Sequence, residues 1–329
     1  MSILVTGVAG FIGFHTAKAL AERGDRVIGV DNVNDYYDVG LKQARLAELG
    51  SLPGFAFRKL DIADSDGVFA LVAANKDLTG IIHLAAQAGV RHSLENPYSY
   101  VDSNIMGTVV MLEAARRIDR LRGLTYASSS SVYGANQKQP FSVDDPVNKP
   151  VSLYAASKRS CELIARSYSH LYGLPATGLR YFTAYGPWGR PDMAAWLFTE
   201  AILADRPIKV FNHGRMARDF TYIDDIVAGT IAAHDRPPAA GGAEDEVAHR
   251  VYNLGNHKPE QLLDFIAIIE RAVGRAAKKE LLPMQMGDVP ESFADIESAR
   301  RDLSFEPKTS VEEGIARFVT WYKHYHKIN

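Results

Sequence analysis

Cysteine is almost absent from this 329-residue chain, in which Cys161 stands alone. A single thiol excludes an intrachain disulfide and any cysteine-rich zinc site, and it favours a reducing compartment. Long apolar runs are missing as well. No stretch approaches the roughly 18 uninterrupted apolar residues of a membrane span. The opening "MSILVTG" lacks a basic flank and reads as a first strand rather than a leader. Neither sign of charge is in excess. A formal net charge of -2 gives no basic field for nucleic acid, so an anionic ligand must be met by local arginines or lysines. Close histidine pairs occur only in the tail "YKHYHKIN", where His324 and His326 read as a solvated helix end, so no metal is expected. These absences leave a soluble cytoplasmic protein, with no nucleic-acid or membrane partner, as the expectation.

The composition that remains is that of an ordinary globular protein, 47% apolar and 23% charged. The length suits one large domain or two medium ones. Apolar runs at 3–6, 26–31, 55–61, 80–86, 121–129 and 176–182 read as strands. Helical patterns fall between them, from after Gly7 to about Arg23 and then at roughly 66–75, 97–117 and 155–172. This alternation predicts an α/β fold, a doubly wound parallel sheet of the Rossmann kind. After Phe182 the texture changes. "TAYGPWGRPDM" reads as loop, followed by a helix at 194–204, a short strand at 208–211 and helices near 224–235, 259–273 and 311–325. The Pro/Gly/acid-rich stretch 235–250 reads as an exposed loop. The expected division is a nucleotide-binding domain with the reacting groups at 1–182. A smaller α/β substrate domain, partly interleaved with it, is expected at 183–329.

The stretch "VTGVAGFIG" sets Gly7, Gly10 and Gly13 between a strand and a helix. A tight turn needs a residue free of Cβ constraints, and close backbone approach to a pyrophosphate needs the Cβ gone. The helix N-terminus behind it then offers N–H groups and a positive dipole end. Asp31 closes the second strand, where a carboxylate binds the adenosine ribose hydroxyls and repels a 2′-phosphate. NAD is therefore favoured over NADP. Phe11, Ile12, Asn32, Asp61 and Ile62 of "LDIAD", and Leu84, Ala85 and Ala86 of "HLAA" complete the expected cofactor surface.

In "YAASK", Tyr154 and Lys158 stand four apart and share one helix face. A serine run, Ser128 to Ser131, precedes them at a strand end. Glycine turn, serine-rich strand end, Y-x-x-x-K pair and length together resemble the extended short-chain dehydrogenase/reductase family over nearly the whole chain. The resemblance implies that Tyr154 acts as a base on a sugar hydroxyl while hydride leaves the same carbon. Lys158 and the oxidised nicotinamide favour the phenolate, and Lys158 also holds the nicotinamide ribose. Ser129 bonds the reacting oxygen, and Asn104 of "SNIMGT" lies near the cofactor.

That family includes epimerases, dehydratases and decarboxylases of nucleotide sugars, all of which begin by oxidising C4. In dehydratases and decarboxylases an acid follows the catalytic hydroxyl. Here no Asp or Glu lies between Ser128 and Gly134, which favours epimerisation. Galactose-type epimerases carry Asn where this chain has Thr183. The segments "HLAAQAGVRHS", "LRYFTAYGPWGRPDM", "VFNHGRMARDFTYIDDI" and "PMQMGDVPESFADI" are similar to the UDP-glucuronate 4-epimerases. Oxidising C4 of glucuronate gives a β-keto acid, which loses CO₂ when its carboxylate bond aligns with the carbonyl π system. Neutral hydroxyls such as Ser130, Ser131 and Thr183 can hold the carboxylate away from that alignment, with Arg190 as a further contact. The resemblance also implies Arg218 and Arg91 at the diphosphate and sugar, Phe211 over the uracil, Asp288 on a ribose hydroxyl, and a homodimer through the helices near 97–117 and 155–172. The competing readings are UDP-glucuronate decarboxylation, epimerisation of UDP-galactose or a UDP-N-acetylhexosamine, and a non-catalytic nucleotide sensor.

Overall fold

The structure is a computed structural model that describes residues 1–239, 247–285 and 289–328. The first half runs β1 (Ser2–Thr6), α1 (Phe11–Glu22), β2 (Arg26–Asp31), α2 (Val39–Gly50), β3 (Phe55–Lys59), α3 (Ser65–Ala74) and β4 (Gly80–His83). Short turns α4 (His92–Glu95) and α5 (Tyr98–Tyr100) lead through a widened π turn, Val101–Met106, into α6 (Gly107–Ala115). Then come β5 (Gly123–Ser129), a 3₁₀ turn at Ser130–Tyr133, α7 (Leu153–Tyr172) and β6 (Ala176–Tyr181). The second half holds β7 (Thr183–Tyr185), α8 (Ala194–Leu203), β8 (Ile208–Val210), β9 (Ala217–Tyr222), α9 (Ile223–Asp235) and β10 (His249–Leu254). It closes with β11 (Pro259–Gln261), α10 (Leu262–Val273), β12 (Lys279–Leu281), β13 (Glu291–Ser292), α11 (Glu297–Leu303) and α12 (Val311–Tyr325).

Seven strands form one parallel sheet in the order β10-β6-β5-β4-β1-β2-β3. Alternate residues of β1 enter different cores, as the two-residue period of a strand requires. Ile3 and Val5 pack with Phe14 and Leu20 of α1, while Leu4 packs with Ile81, Val110 and Leu124 on the other face. The strand order reverses between β1 and β4, so their carboxyl ends diverge and leave a crevice. The six anticipated strands are all present. The seventh, β10, begins at His249, so the end of the stretch 235–250 expected as exposed loop is instead strand, with Val247, Ala248 and His249 all buried, and it adds to the sheet edge from the far half of the chain. Helix α2, absent from the sequence reading, fills the β2–β3 connection. Within "TAYGPWGRPDM", Thr183–Tyr185 is a strand because β9 pairs with it.

The second half builds a small sheet on β9, with β11 antiparallel and β13 and β7 parallel to it. Helix α10 packs against α8 and α12, and the Phe220 and Phe265 rings stack with centroids 3.8 Å apart. Asp219 of β9 is buried and ties this layer together. It accepts from the amides of Asn256, His257 and Ala294 and from the Thr221 hydroxyl.

Three buried histidines lie around the main sheet. Thr6 Oγ1 meets His83, Tyr126 OH meets His249, and His234 packs against Gly80. Burial lowers their pKa values, to about 3 for His83 and about 4 for His234 and His249. The folded chain keeps them neutral while the unfolded chain protonates below about 6.5, so stability is lost as pH falls from that value toward 4. Each costs about 2 kcal/mol at pH 5. Burial raises Asp219 to about 6, and its protonation returns about 1 kcal/mol over the same range. Burial lowers His15 to about 4 as well, so the expected outcome is a net loss of about 5–7 kcal/mol between pH 7 and pH 5, read from urea unfolding at the two pH values. Equal midpoints would refute it.

Candidate active site

A continuous cavity of about 1240 Å³ runs along the crevice, from the Gly7–Gly13 turn to the Phe211–Arg218 segment. At its first end the chain doubles back tightly after β1. Gly7 has φ +79°, and a Cβ there would lie 2.7 Å from the Ala85 nitrogen. A Cβ on Gly13 would lie 2.0 Å from the Gly7 oxygen. No side chain caps α1 at Gly10, and Gly10, Phe11, Ile12 and Gly13 line the cavity. The positive end of α1 therefore faces the space a diphosphate needs. Asp31 stands at the end of β2 and accepts from the amides of Ala9 (3.1 Å) and Val33 (2.8 Å). Burial raises its pKa above the usual carboxylate value, and its remaining lone pairs are available to hydroxyls. Asn32, Ile62, Leu84, Ala85 and Ala86 line the same end. Glycine cradle, helix end and acid fit a dinucleotide.

Two anticipated cofactor residues, Asp61 and Asn104, stand just behind the cavity lining. Asp61 is exposed, outside the cavity lining, and accepts from Asn32 Nδ2 (2.9 Å) and the Ala63 amide (2.9 Å). It closes its own turn and steadies Asn32. Asn104 is buried behind the wall. It accepts from the Gln87 amide at 2.8 Å and donates to Gln87 O and Ser157 Oγ. It is spent on clamping the loop after β4 to α7.

The anticipated reacting groups come from α7 and the end of β5. Ser152 caps α7 by accepting from the Ala155 amide, and Tyr154 and Lys158 lie one turn apart, both lining the cavity. Lys158 Nζ donates to the Ala127 carbonyl at 2.9 Å, immediately before the serine run. Ser128 donates to Glu162 of α7 at 2.6 Å. Ser129 Oγ accepts from the Ser131 amide and donates to Ser131 Oγ at 3.1 Å. This bends the chain into the 3₁₀ turn, so that Ser129, Ser130 and Ser131 all line the cavity. Burial works against the Glu162 charge, but bonds from Arg180 outweigh it and hold the carboxyl below its usual range.

At the far end Thr183, Arg190, Phe211 and Arg218 line the cavity with Arg91. The Arg91 guanidinium lies 5.3 Å over the Phe211 ring, joining the two halves of the chain across the opening. Arg218 donates to the carbonyls of Ala217, Val289 and Pro290. Asp288 lies outside the described residues. Arg190 pairs with Asp192. Burial opposes both charges, yet the pairing raises Arg190 and lowers Asp192 from their ordinary values. Tyr36, Asp192 and Lys209 also line the cavity, and sequence reasoning missed all three. No motif marks them, and only "GRPDM" hints at the Arg190–Asp192 pair. Among the described residues, no group of three or more His, Cys, Asp or Glu could hold a metal ion. No helix among them is long and apolar enough to cross a membrane.

A dinucleotide cradle, a phenol and ammonium on one helix, and a hydroxyl turn meet in one cleft. Together they suit hydride and proton transfer at a carbon bearing a hydroxyl. The NAD dependent epimerase/dehydratase family matches residues 3–255, and the chain belongs to that family. It is 49% identical to UDP-glucuronate 4-epimerase 4 of Arabidopsis thaliana, over 99% of this chain and 76% of that protein. It is 48% identical to Protein CapI of Staphylococcus aureus, over 99% and 100% of the two chains. Among solved structures it resembles the UDP-glucuronic acid 4-epimerase of Bacillus cereus in complex with UDP-glucuronic acid and NAD. That match has a TM-score of 0.89 and 34% identity, over 99% and 100% of the chains.

Gly13→Ala is expected to yield protein purified without bound dinucleotide, measured by releasing and quantifying the cofactor after denaturation. Its methyl group cannot be accommodated against a backbone carbonyl. Full NAD content in that variant would sink the cradle assignment.

Proposed function

We propose that the protein interconverts UDP-glucuronate and UDP-galacturonate through a 4-keto intermediate, with NAD retained through the cycle. One observation carries the reading. Tyr154 and Lys158 face the same cavity as a run of neutral hydroxyls, Ser129 to Ser131, with Thr183 on β7, and no acid stands in the serine turn. Family membership and the similarity to UDP-glucuronate 4-epimerases support it.

In this mechanism Tyr154 removes the proton from the C4 hydroxyl and later returns it. Ser129 hydrogen-bonds the reacting oxygen, and Lys158 supports the phenolate and the nicotinamide ribose. When bound, NAD supplies the hydride acceptor at C4 and then the hydride donor. Between the two transfers the keto sugar turns, and the returned hydride reaches the opposite face. Ser130, Ser131, Thr183 and Arg190 hold the carboxylate out of line with the new carbonyl. A hydrogen bond to a charged group is worth about 1.5–3 kcal/mol, so two or three suffice to fix one conformation. With no Asp or Glu in the serine turn, water elimination lacks its general acid, and decarboxylation is opposed by the orientation of the carboxylate.

Gly7, Gly10 and Gly13 with Phe11 and Ile12 hold the diphosphate of NAD, and Asp31 and Asn32 its adenosine ribose. Ile62 and Leu84 to Ala86 flank the rest of the cofactor. Residues 1–182 thus form mainly the cofactor domain, and 183–329 mainly the UDP-sugar domain. Arg218 meets the UDP diphosphate, Arg91 the sugar or the diphosphate, Phe211 covers the uracil, and Asp288 is assigned to the ribose. A cytoplasmic homodimer is part of the reading. The lone buried thiol supports the compartment. Exposed Tyr98, Val101, Met106, Leu163, Leu171 and Tyr172 supply apolar surface on the segment from α5 to α6 and on α7, as a shared helical face needs.

Purified protein incubated with UDP-glucuronate and no added NAD is expected to give UDP-galacturonate by proton NMR, with no CO₂ released. Tyr154→Phe is expected to lower kcat by about 10²–10⁴-fold. A pentose product, or turnover of UDP-galactose alone, would overturn the assignment.

A further inference from the structure

The grip on the substrate carboxylate has a support of its own. Arg190 lies in the turn between β7 and α8. Its Nε and one terminal nitrogen donate to the two oxygens of Asp192, at 3.0 and 2.6 Å. One of those oxygens also accepts from the Tyr36 hydroxyl at 3.2 Å. All three side chains line the cavity. Tyr36 comes from the distant segment between β2 and α2, and it is closely held. Its ring lies 4.9 Å from that of His92, and a Cβ on Gly89 would come within 2.4 Å of its oxygen. Burial, reinforced by Asp192, pushes its pKa up to about 12, so it remains a donor at working pH.

A guanidinium has five N–H donors in a rigid plane. Asp192 takes two of them, which sets the plane and leaves the rest for a ligand. Because the charge is already balanced, the arginine engages a carboxylate by orientation rather than as an open cation. That suits a group that must be released and gripped again as the sugar turns. The backbone of the turn is held separately. Buried Arg45 donates to the carbonyls of Trp188 (2.6 Å) and Gly189 (3.1 Å), and His15 meets Pro187 O. Loss of Asp192 therefore frees the guanidinium without releasing the loop.

We propose that Asp192, steadied by Tyr36, is a positioning residue that aims Arg190 at the substrate carboxylate and so sets the preference for a uronate over a neutral hexose. This rests on the reading that Arg190 contacts that carboxylate. The test uses holoenzyme carrying Tyr154→Phe, to prevent turnover, and calorimetric Kd values for UDP-glucuronate, UDP-glucose and UDP. Asp192→Ala is expected to weaken UDP-glucuronate about 10-fold, the size of one lost hydrogen bond, and to leave UDP-glucose and UDP within about twofold. Tyr36→Phe should act in the same direction, about threefold. The double variant should match Asp192→Ala alone, because Tyr36 acts through Asp192. Asp192→Asn, which keeps one acceptor, should restore part of the loss. Additive losses, equal losses for UDP-glucose, or unchanged or tighter UDP-glucuronate binding would overturn the proposal. Arg190→Ala separates the two levels. If it too leaves the uronate preference intact, the carboxylate reading falls with the proposal. If it abolishes the preference while Asp192→Ala does not, only the proposal falls.

Discussion

A buried carboxylate on α7, Glu162, meets a buried guanidinium on β6, Arg180, at 2.8 and 2.9 Å, and the reacting half of the cleft is aligned by that pair. Glu162 also accepts from Ser128 at the end of β5 and from Arg159. Arg180 donates to the Tyr133 hydroxyl, which donates to Asn253 of β10. One network thus registers the helix bearing Tyr154 and Lys158 against the strand end bearing the serines. The side chains of Glu162 and Arg180 are 1% and 3% exposed, so removing Glu162 would strand the Arg180 charge in low dielectric, at a cost of about 3–5 kcal/mol. A proton relay tolerates little error in the distance between its members.

The other half of the cleft is joined to the first by contacts distant in sequence. Arg45 of α2 reaches the Ala9 carbonyl in the glycine turn and the carbonyls of Trp188 and Gly189 in the substrate turn. Trp188 packs on Phe14 of α1 and on Trp321 and Tyr325 of α12. The cofactor cradle and the turn carrying Arg190 are therefore braced by the same residues. This matters for a reaction in which an intermediate reorients between two hydride transfers. The walls must hold their spacing while the sugar moves.

The residues most legible in the sequence are those whose chemistry is local. Gly7, Gly10 and Gly13 lie within one turn, Tyr154 and Lys158 within one turn of helix, and Ser129 to Ser131 are consecutive. Asp61 and Asn104 show the limit of that reading. Their identities suit a nucleotide contact, yet Asp61 is used by its own turn and Asn104 by Gln87 and Ser157. A polar side chain serves whichever partner the backbone brings nearest, and that choice is not written in its type.

By itself, the sequence determined the alternating α/β pattern, the glycine turn, the placing of Tyr154 and Lys158 on one helix face and a serine turn that holds no acid. Hydrophobic period and short-range spacing decide each of these before the chain closes. The tertiary structure alone decided that β10 completes the sheet, that Arg45 spans the glycine and substrate turns, and that Tyr36 reaches Asp192 across 156 positions. Contacts of that separation depend on how whole layers pack, and no local pattern of residues encodes them.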